Sequence, residues 1–195
     1  MVGRYAVEAN MLKEITLTVE SGGVGGLPAP GMSFGATIGA DMVSEMAAQF
    51  DFYDGGGLDI CFMGALEVDS RGNVNVHRRP DRYVGIGGFA NITAAAHTVV
   101  FCLNFRSRGL VAQEAAGLIR LEQEGGIEKL RTEIAAISFS AEKALAKGQR
   151  VLYVTERCVF ELTQEGLTLT EIYPGVDLDR DILAKLAFTP PVRLA

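Results

Sequence analysis

The sequence predicts an α/β fold: an open, mainly parallel sheet flanked by helices, with antiparallel hairpins at its edges. Three observations carry this. Apolar runs at residues 58–66, 98–103 and 151–155 have the length of strands buried in a parallel sheet. Segments with helical apolar spacing stand between them, above all Ile127, Leu130, Ile134 and Ile137. Alternating segments joined by turn residues, at Ser70-Arg-Gly-Asn73, Ala116-Gly117 and Glu165-Gly166, read as hairpins. Strands alternating with helices specify this class.

In chain order, Val7, Met11 and Leu12 fit one face of a short first helix. Ile15, Leu17 and Val19 alternate with threonines and predict a strand ending at Glu20. Residues 31–40 read as a small-residue loop. Met42, Met46 and Phe50 fit the core-facing side of a helix capped by Asp41. The run at 58–66 predicts a strand buried on both faces. Ala90 to His97 starts a helix, and 127–137 predicts an amphipathic one. Ser140 to Lys147 reads as a helical turn with Lys143 and Lys147 in solvent. Asp177 caps a last helix marked by Leu178, Ile182, Leu183 and Leu186.

Composition narrows the function. The 195 residues suit a single domain with a sizeable core, and no internal repeat, linker or low-complexity segment is visible. A formal net charge of -6 argues against a nucleic-acid partner. No stretch predicts a membrane span or a signal peptide, so neither a membrane partner nor export is expected and the cytoplasm is the natural location. Cys61, Cys102 and Cys158 are widely spaced and read as buried reduced thiols. With two histidines and no His/Cys cluster, no metal site is expected. Arg78-Arg79 and Arg106/Arg108 are candidates for phosphate contacts, with solvated arginine as the plainer reading.

Glu20 is followed by Gly22, Gly23, Gly25 and Gly26. A carboxylate at the end of a strand, beside a loop stripped of side chains, suits a site that admits a bulky ligand. It equally suits a tight structural turn. The carboxylate itself can be a base, a metal ligand, a nucleophile or an ordinary end-of-strand acid. Gly85, Gly87 and Gly88 form a second glycine loop before a helix, where backbone N–H groups can meet an anion. A dinucleotide loop is rejected there, because the last spaced glycine and the following acid are missing.

Five stretches add a resemblance. Val19-Glu-Ser-Gly-Gly-Val-Gly-Gly26 is similar to the glutamate motif of the family I coenzyme A transferases. Gln49-Phe-Asp-Phe-Tyr-Asp-Gly-Gly-Gly-Leu-Asp59, Glu67-Val-Asp-Ser-Arg-Gly-Asn-Val-Asn-Val76, Val84-Gly-Ile-Gly-Gly-Phe-Ala-Asn-Ile92 and Val151-Leu-Tyr-Val-Thr-Glu-Arg157 resemble the propionate/acetate branch of the same family. The likeness is to the carboxyl-terminal, glutamate-bearing half. Residues 1–195 are expected to be one such domain, lacking its first strand and turn. The resemblance implies Glu20 as nucleophile, with Gly22, Gly23, Gly87 and Gly88 lining the coenzyme A path. It implies acyl-CoA and short-chain carboxylates as substrates, no tightly bound cofactor, a separate amino-terminal half as partner and a homo-oligomer. Asp59, Glu67, Asp69 and Glu156 fall in the matching stretches but read as structural, and Asn73 as a turn residue. A catalytically silent binding or assembly module is the alternative.

Overall fold

The computed structural model describes residues 2–33 and 35–194. They fall into two compact units, Met1–Leu58 and Asp59–Ala195.

The first unit opens with helix α1 (Val2–Glu8), which buries Ala6. Met11 and Leu12 lie beyond its end, and Val7 is exposed, so the predicted apolar face does not form. Two short antiparallel ladders follow. Strands β1 (Gly23–Val24) and β4 (Met42–Val43) form one; β2 (Leu27–Pro28) and β3 (Thr37–Ile38) form the other. Helix α2 (Met46–Asp54) closes the unit and ends at Gly55. Two expectations are corrected here. Met42 lies in a strand, Asp41 caps nothing, and Glu45 stands at the helix start without a side-chain cap. Met42 and Met46 are also exposed rather than core. The pairing of residues 42–43 with the glycine strand takes them out of the helix that their spacing suggested.

The second unit contains β5 (Ile60–Gly64), β6 (Glu67–Asp69), β7 (Val74–Asn75), α3 (Phe89–Ala95), β8 (Thr98–Cys102), β9 (Arg106–Ser107), β10 (Val111–Ala115), β11 (Leu118–Gln123), β12 (Ile127–Glu128), β13 (Leu130–Arg131), α4 (Ala141–Lys147), β14 (Arg150–Val154), β15 (Cys158–Thr163) and β16 (Gly166–Ile172). Its main sheet has the order β16-β15-β14-β8-β5. The β5, β8 and β14 strands are parallel, and β15 and β16 add an antiparallel hairpin at one edge. Helices α3 and α4 pack against it, so the predicted class holds. The predicted turns at Ala116-Gly117 and Glu165-Gly166 also form, the first with both residues at positive φ. Phe101 on the central strand β8 is fully buried, with ring centroids 5.4 Å from Tyr153 and 5.1 Å from Phe139. These rings anchor the core between the sheet and the segment leading into α4.

Four sequence expectations are corrected in this unit. Residues 127–137 are not a helix. Gly125-Gly126 precede them, Leu130 pairs in parallel with Val68, and Ile127 and Ile137 are exposed. Strand β5 is an edge strand, with Cys61 buried but Ile60 and Phe62 exposed, so it is not covered on both faces. Cys102, at the end of β8, is exposed rather than buried. The last helix is two short turns, Leu178–Ile182 and Leu183–Lys185, although Asp177 does accept from the Arg180 N–H as a cap (2.7 Å). Lys147 is exposed as expected, yet its ammonium donates to the Ala94 carbonyl (2.9 Å) and ties α4 to α3.

Candidate functional site

Glu20 does not end a strand of the main sheet. It lies in the first unit, in the turn of a small hairpin where Thr18 bridges Val24. The Val19 N–H donates to the Gly23 carbonyl (3.0 Å), and the Gly22 N–H donates to the Val19 carbonyl (3.0 Å). The Gly25 N–H reaches Leu17 (2.8 Å). Gly22 takes φ +110°, a conformation that a side chain would strain. The glycine-rich stretch folds back on residues 17–19, leaving Ile15 unpaired and exposed; this replaces the predicted longer strand.

The four glycines are also needed for packing. A Cβ at Gly22 would strike the Ser44 carbonyl, one at Gly23 the Thr37 side chain, one at Gly25 the Asp41 carboxylate, and one at Gly26 the Ile38 and Gly39 carbonyls. So the first glycine loop is closely packed by its own unit. The Glu20 carboxylate stands apart from this packing. It is half-buried and, among the described residues, has no hydrogen bond or ion pair.

Helix α2 backs the hairpin. Tyr53 donates to Thr18 Oγ1 (2.9 Å), and Ser44 Oγ donates to Gln49 Oε1 (3.0 Å) and lies 3.4 Å from the Gly22 carbonyl. Gln49 is buried, and its Nε2 has no partner among the described residues. The sequence reading missed Gln49, although it opens one of the five matching stretches.

The second glycine loop belongs to the second unit. Gly87 has φ +57°, and Gly88 stands at the start of α3. Among the described residues, a Cβ at Gly87 would meet no atom within 4 Å, and neither the Gly87 nor the Gly88 N–H has an acceptor. Two N–H groups without acceptors on an open loop can receive an anionic oxygen.

Three of the four carboxylates read as structural, Asp69, Glu67 and Glu156, have structural partners. Asp69 accepts from the N–H of Arg71 (3.0 Å) and Asn73 (2.9 Å) and from Asn73 Nδ2 (2.9 Å), which makes Asn73 a turn residue as expected. Glu67 pairs with Arg131 (3.4 Å), and Glu156 with Arg157 (2.7 Å) and the Phe105 N–H (2.8 Å). Asp59 lies 3.9 Å from His97 at the surface. Of the candidate phosphate ligands, Arg106 is committed to Gly125 (2.8 Å) and Glu128 (3.1 Å). Among the described residues no group of three metal-ligating side chains occurs, and no helix is long and apolar enough to cross a membrane.

No family model matches the chain. It is 42% identical over 191 residues to the acetate CoA-transferase YdiF of Escherichia coli O157:H7 and 41% identical over 196 residues to the caffeate CoA-transferase of Acetobacterium woodii. Each match takes in 98% of this chain, but only 36% and 37% of those proteins. It is also 27% identical over 191 residues to the acetate CoA-transferase subunit beta of Escherichia coli (strain K12), covering 78% of that subunit. A crystal structure of the Escherichia coli O157:H7 YdiF thioester complex with CoA superposes with a TM-score of 0.92 at 40% identity, over 100% of this chain and 37% of that one. The chain is thus similar, over nearly its whole length, to about a third of each of those two longer CoA-transferases.

Proposed function

We propose that this chain is the glutamate-bearing part of a transferase that moves coenzyme A between short-chain acyl-CoA and carboxylic acids. The observation that carries the reading is the half-buried Glu20 on its glycine hairpin, unpaired among the described residues, in a chain 42% identical to an acetate CoA-transferase.

The chemistry follows from one carboxylate. Glu20 attacks the acyl-CoA carbonyl and expels the CoA thiolate, leaving a mixed anhydride. The thiolate then attacks the glutamyl carbonyl of that anhydride, releasing the first carboxylic acid and leaving a glutamyl-CoA thioester. A second carboxylate reverses the sequence and departs as the new acyl-CoA. Two easier displacements replace one difficult exchange, and the kinetics are ping-pong. Each step passes through an oxyanion, and a lost backbone donor at comparable sites costs about 3 to 4 kcal/mol. By the family resemblance, Gly22 and Gly23 are assigned to the coenzyme A path, and so are Gly87 and Gly88, whose N–H groups have no acceptor among the described residues.

The anhydride survives only where water is kept out. We therefore assign the full activity to this chain together with an amino-terminal half, on a partner chain or in a longer form of the same polypeptide, in a cytoplasmic oligomer. No resident cofactor is required, because coenzyme A arrives as the substrate thioester. A silent assembly module is the second reading. It is favoured by Met32, Ile38, Met42, Val43 and Met46, each more than half exposed in the first unit.

Intact-mass measurement after incubation with propionyl-CoA tests the proposal, with Glu20→Ala alongside. The expected result is a CoA-sized adduct on the wild type that hydroxylamine removes and the variant never forms. If the adduct is missing both alone and with an added amino-terminal half, the silent module is the correct reading.

A further inference from the structure

One charged feature of the second unit is left without a role by the chemistry above. Residues 77–84 form a tight hairpin in which Arg78 bridges Tyr83. The Arg79 N–H donates to the Arg82 carbonyl (2.8 Å) and the Val84 N–H to the His77 carbonyl (2.7 Å). The hairpin carries Arg78, Arg79 and Arg82 against one acid, Asp81, in a chain of net charge -6. All three arginines are exposed, and among the described residues none has a carboxylate partner.

The hairpin is held at its base. Asn75, buried on β7, accepts from the N–H of His77 (3.1 Å) and Arg78 (3.0 Å) and donates to the Arg78 carbonyl (2.8 Å). His77 Nδ1 lies 2.6 Å from Ser138 Oγ. The His77 ring stacks with Tyr83 (centroids 6.3 Å apart), and the Arg78 guanidinium lies 5.4 Å from the centre of the same Tyr83 ring. Tyr83 therefore positions Arg78. A further cation stands close by. Burial holds the Lys129 ammonium below the usual lysine range, with the positive charge of Arg79 adding to that effect and Glu156 and Glu67 opposing it. Like charges held together on an anchored scaffold repel one another, and a bound anion relieves the repulsion.

The geometry points to this hairpin as the site that takes the phosphate groups of coenzyme A. The inference rests on the reading of the chain as a CoA-transferase part and adds the place where the nucleotide end is held. Guanidinium groups match phosphate oxygens in pairs, whereas the pantetheine arm offers them no charge. The hairpin runs directly into the Gly85–Gly88 segment, whose Gly87 and Gly88 N–H groups have no acceptor among the described residues and are already assigned to the coenzyme A path.

Calorimetric titration of the wild-type chain and of R78Q/R79Q/R82Q with CoA and with acetyl-pantetheine tests the assignment. Circular dichroism first establishes that both proteins are folded. The expected result is CoA binding that weakens at least about tenfold in the variant and with added salt, with acetyl-pantetheine binding unchanged. Equal CoA binding by both proteins overturns the phosphate site and leaves the transferase reading standing. Equal loss of CoA and acetyl-pantetheine binding also overturns it, since the arginines would then act on the arm or the fold. Absence of CoA binding by the wild type both alone and with the added amino-terminal half overturns both readings.

Discussion

Arg157 and Glu124 form a two-pronged ion pair, Nη2 to Oε1 at 2.9 Å and Nη1 to Oε2 at 3.0 Å, and the arginine side chain is completely buried. The same guanidinium donates to Glu156 (2.7 Å) and to the Asp181 carbonyl (2.9 Å), and lies 4.5 Å from the centre of the Phe105 ring. One side chain thus fastens the stem of the exposed β10–β11 hairpin, the turn after β14 and the chain end to one another. Removing one partner of a buried pair leaves the other charge uncompensated. Arg157→Ala is expected to cost the second unit about 3 to 5 kcal/mol. Replacing Arg157 and Glu124 together with Met and Leu leaves only Glu156 without its partner and should cost less than Arg157→Ala. Denaturant titration of the single and double variants measures both, and a double variant no better than Arg157→Ala would contradict this account.

The turn after β6 should be nearly as sensitive. Asp69 is buried and satisfies two backbone N–H groups and one side-chain amide. Beside it, Gly72 takes φ +91° and its carbonyl accepts a hydrogen bond from the Tyr153 hydroxyl, and a Cβ there would lie 2.7 Å from Leu162 and 2.8 Å from that hydroxyl. Asp69→Ala leaves buried donors unmet, at about 1 to 3 kcal/mol each for those that water does not reach. Gly72→Ala combines backbone strain with a clash, so it should lower the melting temperature as well. A melting temperature within a degree or so of wild type for either variant would show that the turn adapts freely.

The same residues show what a sequence makes legible. Alternation and turn residues located β14, β15, β16 and the hairpin at Ala116-Gly117, because these depend on neighbours a few residues away. The spacing of Ile127, Leu130, Ile134 and Ile137 misled, because only Leu130 is deeply buried, and it is held by parallel pairing with Val68, more than sixty residues earlier. The exposure of Ile60 and Phe62 follows from the place of β5 at the sheet edge, which local pattern does not encode. The motif singles out Glu20, but the strand expected to end there does not form. The positive φ of Gly22 and the packing of Ser44 against it turn the chain there, and that contact spans more than twenty residues. The Arg157–Glu124 pair was invisible for the same reason, joining positions 33 apart.

Acid should loosen that pair in a defined direction. Burial pushes the Glu124 carboxyl up, but the hydrogen bond and charge of Arg157 outweigh it and hold the group below the usual glutamate range. A carboxyl with a depressed folded-state pKa contributes stability above its unfolded pKa and loses it as pH falls through the folded value. Glu124→Gln should therefore be less stable than wild type at neutral pH, with the gap closing below the ordinary glutamate range. Asp181, held at about 2 chiefly by its hydrogen bond from Arg180, leaves a further loss at still lower pH. Melting curves of wild type and Glu124→Gln between neutral and strongly acid pH measure the closure. A gap that stays constant would mean that the charge of Glu124 contributes nothing.

The three cysteines should separate sharply in reactivity. Cys61 and Cys158 are buried, and burial pushes each thiol up to about 12, so neither supplies thiolate near neutral pH. Cys102 is exposed at the end of β8. Partial burial raises its thiol too, so its reaction should be slow at neutral pH and accelerate as pH rises past the ordinary cysteine range. The folded protein is expected to consume one equivalent of a thiol reagent, and the denatured protein three, in line with its three cysteines. Cys102→Ser should abolish the first and leave two in denaturant. Rapid uptake of a second equivalent by the folded protein would show that β5 or the turn after β14 opens on the timescale of labelling, and would put the covered state of Cys61 or Cys158 in error.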